Sequence, residues 1–253
     1  MDNTDNTIRI NKFLSDAGLG SRRSVEQYVR DRRVQLDGET VTDLSTRVQP
    51  GQQVKVDGRA VHASRSTVVF ALNKPPRVLV SEADPDGRPL AIDLVRPFYS
   101  GRLFSVGRLD FLSSGLLLFT NDGDLAQALM RPATGVEREY VVETGDPIPD
   151  SLLSRFTEGI SIEGVGYRAK TYRRHSQRRV SLVLTEGKNR EIRRVFTDAR
   201  IKVKRIYRNR YGSVALGSIP PGEARRLSDQ EVRRLQTTAG EVKRRGASRG
   251  RRH

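Results

Sequence analysis

The chain contains, at residues 106–120, the stretch Val106-Gly107-Arg108-Leu109-Asp110-Phe111-Leu112-Ser113-Ser114-Gly115, followed directly by Leu116-Leu117-Leu118-Phe119-Thr120. The apolar run at its end predicts a buried strand, and a strand of this kind holds the preceding loop firmly in place. Asp110 lies in that loop, two residues after Arg108. Most loop aspartates accept turn hydrogen bonds, so the stretch alone leaves two interpretations open: a turn acceptor and a catalytic carboxylate.

The composition of the whole chain indicates the class of partner. Its 253 residues include 46 Lys and Arg against 30 Asp and Glu, a formal net charge of +16. This length is sufficient for one large or two modest domains, and the excess of positive charge favours a phosphate-rich polymer as the partner. The chain has no cysteine and three histidines, so we expect no disulfide and no metal centre. Short apolar runs and an acidic, polar start predict neither membrane attachment nor a signal peptide, and we expect a cytoplasmic protein.

The positive charge is concentrated in two segments. Residues 168–210 contain 16 Lys and Arg against three acids. We expect them to form one basic surface that holds the phosphate-rich partner and presents it to Asp110. Residues 240–253 contain six Lys and Arg against one Glu. We expect residues 237–253 to be a disordered basic tail that adds salt-sensitive affinity for nucleic acid, or a terminus that only improves solubility.

Residues 8–62 are predicted to form a small separate domain of two helices and a small sheet. Apolar residues at helical spacing predict a first helix that ends at Gly18, and Ser21 is a candidate N-cap of a second helix. The dipeptides Asp37-Gly38 and Asp57-Gly58 each predict a hairpin turn between two extended segments. Residues 63–67 have the small polar character of a linker.

This first domain resembles the RNA-binding domain shared with ribosomal protein S-four. The residues that carry the resemblance are Ile8-Arg9-Ile10-Asn11-Lys12-Phe13-Leu14, Ala17-Gly18-Leu19-Gly20-Ser21-Arg22-Arg23 and Arg33-Val34-Gln35-Leu36-Asp37-Gly38. The resemblance implies that the domain binds structured RNA. The candidate RNA-contacting cations are Arg9, Lys12, Arg22 and Arg23.

Residues 68–236 are predicted to form a larger α+β domain, a mostly antiparallel mixed sheet with flanking helices. Short apolar and alternating runs predict its strands, and Pro75-Pro76 ends the first of them. Ile192, Val195 and Phe196 lie at helical spacing and predict an amphipathic helix packed on the sheet. On that helix Arg190 and Arg194 point away from the apolar stripe, whereas Arg193 lies at its flank and can reach inward.

The second domain resembles the pseudouridine synthases, in the branch that carries an S-four-type domain at the N-terminus. Three segments carry the resemblance: Gly107-Arg108-Leu109-Asp110 with Ser114-Gly115-Leu116-Leu117-Leu118, then Arg138-Glu139-Tyr140, then Glu186-Gly187-Lys188-Asn189-Arg190-Glu191-Ile192-Arg193-Arg194. The last segment is most like the enzymes that modify large-subunit ribosomal RNA. The resemblance implies an enzyme that breaks a uridine's nitrogen–ribose bond, rotates the uracil and rejoins it through a ring carbon, without a cofactor or metal.

The family chemistry assigns roles to particular residues of this chain. The resemblance implies that Asp110 is the catalytic carboxylate, that Tyr140 stacks on the uracil, and that Arg193 is the cation beside Asp110. We expect Asp110 to be buried, so that loss of its partner would lower stability by several kcal/mol. A target in a duplex must be flipped out to be reached. The candidate nucleotide-binding residues are Arg108, Ile192, Lys188, Arg190 and Arg194.

Several alternatives to a large-subunit enzyme remain open. The substrate could be small-subunit ribosomal RNA, or the chain could be a ribosome-assembly factor that binds RNA without turnover. A helix-based DNA-binding protein is disfavoured because no dimerising heptad or three-helix reading unit is present. We expect a monomer that acts on ribosomal RNA or on a pre-ribosomal particle.

Overall fold

The computed structural model describes residues 7–62 and 66–249, with side chains described up to residue 240. The chain divides into two compact units, residues 1–67 and residues 68–253. The division falls at the end of the segment 63–67 that was predicted to be a linker. Within the described ranges, no helix is both long enough and apolar enough to cross a membrane.

Unit 1 contains two short helices and two small antiparallel sheets. The first sheet pairs β1 with β4, and the second has the order β3-β2-β5-β6. The bounds are β1 Ile8–Arg9, α1 Ile10–Asp16, α2 Glu26–Arg30, β2 Val34–Leu36, β3 Glu39–Thr40, β4 Arg47–Val48, β5 Val54–Val56 and β6 Arg59–Val61. The helices and the sheet bury one shared core, in which Ile10 and Leu14 of α1 and Val29 of α2 are completely buried.

The two predicted hairpins of unit 1 are confirmed. Strands β2 and β3 are joined at Asp37-Gly38, and β5 and β6 are joined at Asp57-Gly58. All four turn residues have positive φ, which is the backbone that a tight two-residue hairpin needs and that Asp-Gly adopts readily. Ser21 does not cap α2, because that helix begins later, at Glu26. Instead, the Ser21 hydroxyl accepts a hydrogen bond from the Ser24 backbone N–H at 2.9 Å, in the turn before the helix.

Unit 2 is built on a nine-stranded sheet of order β13-β14-β10-β15-β9-β7-β17, with β8 paired to β9 and β16 paired to β15. Every pairing is antiparallel except that of β9 with β15, which confirms the predicted α+β domain with a mostly antiparallel mixed sheet. The strands are β7 Val69–Lys74, β8 Phe104–Val106, β9 Ser114–Thr120, β10 Arg138–Thr144, β11 Ile160–Ile162, β12 Val165–Tyr167, β13 Thr171–Ser176, β14 Arg179–Leu184, β15 Val203–Tyr211, β16 Val214–Ala215 and β17 Ala224–Arg226. The helices are α3 Gly123–Met130, α4 Asp150–Glu158, α5 Glu191–Asp198 and α6 Asp229–Arg249, with single 3-10 turns at Arg96–Phe98 and Pro132–Thr134.

The central strand β9 is buried on both faces, as its apolar run predicts. Leu116 and Leu118 pack against residues of α3 and α6 on one face. Leu117 and Phe119 pack on the other face. The amphipathic helix predicted around Ile192 is α5, which covers β10 and β14 together with α4. The loop that carries Asp110 is therefore joined directly to the most buried strand of the unit.

The C-terminal helix differs from the prediction of a disordered tail from residue 237. Helix α6 continues to Arg249, so residues 237–249 are helical, and residues 250–253 lie outside the described part of the chain. Val232, Leu235 and Ala239 recur at helical spacing and are buried in the same core as β9. This stripe holds the helix on the sheet beyond residue 236, because burial of an apolar face stabilises a helix more than its intrinsic propensity does.

Candidate active site

Four residues on neighbouring strands form one row across the middle of the sheet. The register pairs Lys74 of β7 with Gly115 of β9, Gly115 with Arg208 of β15, and Arg208 with Tyr140 of β10. Residues opposite each other on paired strands share a face of the sheet. The row therefore places two cations and one phenol on the face that also carries Leu117 and α5.

Gly115 allows β9 and β15 to approach each other closely enough to form this row. A Cβ at this position would lie 2.6 Å from the backbone nitrogen of Arg208 and closer still to its carbonyl oxygen. Gly115 also has φ +98°, a conformation that L side chains rarely adopt. Any other residue here would push β9 and β15 apart, so the glycine fixes where Arg208 lies.

Asp110 stands above the row, in the loop between β8 and β9. Its backbone carbonyl accepts a hydrogen bond from the Ser113 N–H at 3.0 Å, which makes a tight turn. The Asp110 carboxylate lies 4.0 Å from Nε of Arg193, and the two side chains are 38% and 14% exposed, respectively. Nη2 of Arg193 also donates to the Leu112 carbonyl at 3.5 Å, so one guanidinium contacts both the loop and its carboxylate.

The prediction that Asp110 is buried is wrong. The pocket beside it opens to solvent, so more than a third of the side chain remains exposed until something covers it. An ion pair at this exposure stabilises the fold by about 1 kcal/mol or less, not by several. Desolvation lowers the pKa of Arg193, the negative charge of Asp110 opposes that shift, and Arg190 adds to it.

Lys74 is a second cation near Asp110, and the sequence reasoning missed it. It is completely buried, and its Nζ donates to the carbonyls of Pro75 and Val78 at 2.8 Å each. Burial lowers the pKa of Lys74 to about 8, and the charge of Asp110 opposes that shift. One signal was present in the sequence, because the alternation along β7 places Lys74 on the same face as Phe70 and Leu72.

The Tyr140 side chain packs against two hydrophobic cores on the same face of the sheet. Its half-buried ring packs against the core beneath α5 and also against the core beside β7. The Tyr140 hydroxyl accepts a hydrogen bond from Nη1 of Arg208 at 3.4 Å. Ile192, at the start of α5, is buried nearby.

A small cavity of about 100 Å³ is lined by Asp110, Tyr140, Ile192 and Arg193, but not by Lys74 or Arg208. Seven of the eight site residues predicted in the second domain line it, drawn from the Asp110 loop, from β10 and from the segment that leads into α5. Its lining residues are Arg108, Leu109, Asp110, Ser113, Tyr140, Leu184, Gly187, Lys188, Arg190, Glu191, Ile192, Arg193 and Ile206. The cavity therefore brings together two carboxylates (Asp110 and Glu191), one phenol and several cations around an apolar floor.

Two further charged residues at the cavity are held by neighbours. Nζ of Lys188 lies 2.7 Å from Glu186 and donates to the Gly166 carbonyl at 2.7 Å, and the hydrogen bond with Glu186 raises the pKa of Lys188. Glu191 was not predicted as a site residue. Burial raises the pKa of Glu191, and its carboxylate accepts a hydrogen bond from the Lys188 backbone N–H at 3.3 Å.

Arg194 is the one predicted residue of this domain that does not line the cavity. It lies on the outer side of α5, where Nη1 is 3.6 Å from Glu163. The helical wheel predicted this outward direction. The candidates in unit 1 lie at three places: Arg9 ends β1 and is exposed, Lys12 lies on α1 and pairs with Asp16 at 2.6 Å, and Arg22 and Arg23 are exposed in the turn between α1 and α2. Their contact with RNA stays a prediction.

The basic segment 168–210 does not form a single surface, so that prediction is wrong. Tyr207 pairs with Val141, whereas its chain neighbour Arg208 pairs with Tyr140, so the two rows lie on opposite faces of the sheet. Arg179 donates to the Tyr207 hydroxyl at 2.8 Å, and Arg205 lies over the Tyr207 ring. These arginines therefore face away from Asp110, because side chains alternate along a strand.

Each of the two units matches the model of a known protein family. Residues 68–198 match the model of the RNA pseudouridylate synthase family, and residues 8–54 match the S4 domain. The chain is 38% identical to an uncharacterized RNA pseudouridine synthase of Borreliella burgdorferi, over 90% of this chain and 93% of that protein. It is 36% identical to ribosomal large subunit pseudouridine synthase B of Xanthomonas campestris, over 88% of this chain but only 48% of that protein.

A solved structure has the same architecture over nearly the whole chain. The crystal structure of a pseudouridylate synthase superposes with a TM-score of 0.65 at 26% identity, covering 90% of this chain and 99% of the other. The similarity therefore extends across both units.

Proposed function

The chain belongs to the RNA pseudouridylate synthase family, and we propose that it isomerises one uridine of large-subunit ribosomal RNA, with Asp110 as the catalytic carboxylate. The observation that carries this proposal is the meeting of Asp110, Tyr140 and Arg193, which come from three separate elements, around one small cavity. Relatives named for the large ribosomal subunit support the choice of RNA, although this chain spans only about half of their length.

The reaction rearranges bonds within one nucleotide. The bond between N1 of uracil and C1′ of ribose breaks, the uracil turns within the pocket, and a bond forms between its C5 and C1′. The hydrogen on C5 is lost and N1 gains one, so product and substrate are isomers. We propose that the reaction therefore requires no cofactor, since no electron or group enters from outside.

Asp110 acts in this scheme as the group that meets the ribose or assists departure of the base. Arg193, with its Nε 4.0 Å away, and the ammonium of Lys74 both attract the carboxylate and orient it towards the cavity. The partial exposure of Asp110 suits this role, because the reacting ribose must be able to reach it.

The other cavity residues bind the nucleotide. We propose that Tyr140 stacks on the uracil, that Ile192 packs beneath the ring, and that Arg108 holds the nucleotide outside its helix. Lys188, Arg190 and the outward-facing Arg194 would contact phosphates around the cavity mouth.

Unit 1 would bind structured RNA. Arg9, Lys12, Arg22 and Arg23 supply its cations, and phosphate contacts of this kind position a protein on its RNA. We propose ribosomal RNA or a pre-ribosomal particle as the partner and the cytoplasm as the location. A monomer is sufficient for this function, since one chain supplies every residue that lines the cavity.

Pseudouridine mapping tests the proposal directly. Unmodified large- and small-subunit ribosomal RNA would be incubated with the wild-type protein, with Asp110→Asn, or with Asp198→Asn as a matched change at an exposed position of α5. Carbodiimide-dependent reverse-transcription stops then report each new pseudouridine. We expect one new stop in large-subunit RNA that is lost only in Asp110→Asn, while RNA affinity is unchanged.

The other outcomes are equally informative. A stop in small-subunit RNA alone would replace the proposed substrate. A stop that persists in Asp110→Asn would refute the role of that carboxylate. If neither naked RNA reacts, the same mapping on purified pre-ribosomal particles decides whether the substrate is an assembling particle.

A further inference from the structure

Arg208 is a buried cation whose hydrogen bonds are incomplete. The residue is 1% exposed, and none of the ion pairs among the described side chains includes it. Nε donates to the Leu116 carbonyl at 2.7 Å and Nη1 donates to the Tyr140 hydroxyl at 3.4 Å. Nη2 is buried with no acceptor among the described residues. A buried, unpaired donor is unfavourable, so an apolar side chain would serve packing better at this position.

Arg138 shows how an arginine with a packing role differs. It is also nearly buried and also contacts a tyrosine, with Nη2 3.3 Å from the Tyr211 hydroxyl. Its remaining contacts are the carbonyls of Thr185 and Leu129, and it does not line the cavity. Both of its terminal nitrogens have acceptors, and its tyrosine is completely buried.

Arg208 lies beside two tyrosine rings, with its Cζ 4.9 Å from the centroid of Tyr211 and 5.9 Å from that of Tyr140; of these two tyrosines, Tyr140 lines the cavity and Tyr211 does not. A phenol oxygen that accepts a hydrogen bond from a guanidinium still carries its own hydrogen, which is then free to be donated in another direction. Arg208 lies beside Tyr140 on the neighbouring strand and does not line the cavity, whereas Tyr140 does, so a hydrogen that points away from the guanidinium can point into the cavity. The closeness of β9 and β15 at Gly115 fixes the backbone of Arg208 and therefore the position of its guanidinium.

We infer that Arg208 is a positioning residue of the pseudouridine synthase reaction, and this inference rests on the function proposed above. Its guanidinium holds the Tyr140 hydroxyl so that the O–H is directed into the cavity that receives the extruded nucleotide. Arg208 itself does not touch the nucleotide. Its effect passes through one atom, the phenol oxygen, and disappears when that atom is removed.

This dependence defines the experiment, a double-mutant cycle between Arg208→Lys and Tyr140→Phe. Lysine keeps the positive charge but cannot span the Leu116 carbonyl and the Tyr140 hydroxyl as the planar guanidinium does. Turnover would be followed as tritium release from RNA labelled at C5 of uridine, the position that loses hydrogen. The melting temperature would be measured for every variant.

We expect Arg208→Lys to lower kcat by about tenfold to a hundredfold, which is the range for loss of a hydrogen bond to a charged group, and to change KM less than twofold. In the Tyr140→Phe background the same substitution should change the remaining kcat less than twofold. Arg138→Lys is the matched control: it should lower the melting temperature while kcat stays within twofold of wild type.

Three results would overturn the inference: wild-type kcat in Arg208→Lys, an effect confined to KM, or full additivity with Tyr140→Phe. If Arg208→Lys does not fold, Arg208→Gln replaces it with the same expectations, since its amide keeps one N–H donor. The resonance of the Tyr140 Cζ carbon, identified by its absence in Tyr140→Phe, should also shift in either Arg208 variant, and an unchanged resonance would refute the contact. An inactive wild-type protein would instead contradict the proposed function.

Discussion

Lys74 should make the stability of the protein depend on pH in an unusual direction. Burial in the folded chain lowers the pKa of Lys74 from its ordinary 10.5 to about 8. Below pH 8 the Lys74 ammonium is charged in both the folded and the unfolded state. Burial of that charge then lowers the free energy of unfolding by its full amount. Between pH 8 and 10.5 the unfolded chain still holds a proton that the folded chain has released. The unfolded state then binds more protons, so this contribution to stability rises with pH.

The size of the effect follows from the shift of the pKa. The difference between a pKa of 10.5 in the unfolded chain and about 8 in the folded chain corresponds to about 3 kcal/mol of stability in total, and most of it should develop between about pH 7 and pH 10. Lys74→Met removes the titrating group and fits the same apolar surroundings. The free energy of unfolding of the wild type, minus that of Lys74→Met, should therefore increase by about 2 to 3 kcal/mol over this range.

Urea unfolding followed by circular dichroism at pH 7, 8, 9 and 10 measures this difference. Other titrating groups, including those of unit 1, cancel in the comparison of the two proteins. Lys202→Met, at an exposed position, is the control and should give no such trend. Because the charge of Asp110 raises the pKa of Lys74, the rise should begin at lower pH in an Asp110→Asn background. A difference that stays constant from pH 7 to pH 10 would refute the reasoning.

Three other perturbations have definite expected outcomes. Arg193→Gln should lower turnover at least tenfold. It should change the free energy of unfolding by about 1 kcal/mol or less, because the ion pair of Arg193 with Asp110 is partly exposed. A loss of several kcal/mol in urea titration would contradict this expectation. Gly115→Ala should lower stability by more than about 2 kcal/mol, because its Cβ would overlap the backbone of Arg208; a melting temperature equal to that of wild type would show that the strands separate easily. Removal of residues 1–62 should weaken RNA binding in filter assays and leave the cooperative unfolding of residues 68–253 intact; unchanged affinity and target choice would show that unit 1 does not recognise the RNA.

Much of the fold was predictable because its signals are local. The hairpins at Asp37-Gly38 and Asp57-Gly58 depend on the backbone preferences of two residues each. The buried strand β9 and the helix α5 follow from the spacing of apolar side chains. The tail was the clearest failure: charge dominates the sequence of residues 237–249, and Ala239, which is buried near its start, gave too weak a pattern to predict a helix.

The candidate site was predictable where a short motif carried it. Asp110, Tyr140 and Arg193 lie in the three segments that resemble the family, and the structure brings all three to one cavity. The degree of burial was not predictable, because it depends on what packs above and below a loop. Asp110 was expected to be buried and is partly exposed, whereas Lys74 has the sequence context of an ordinary strand end and is completely buried.

The sequence by itself determined the two-domain organisation, the strand and helix types and the identity of the catalytic candidates, since each depends on neighbours within a few residues or on a short motif. Only the tertiary structure decided that Lys74, Gly115, Arg208 and Tyr140 form one row. These residues are far apart in the chain, and their meeting depends on strand order and register. The register also decides which arginines of the segment 168–210 face Asp110, because a shift of one residue would turn every side chain of a strand to the opposite face.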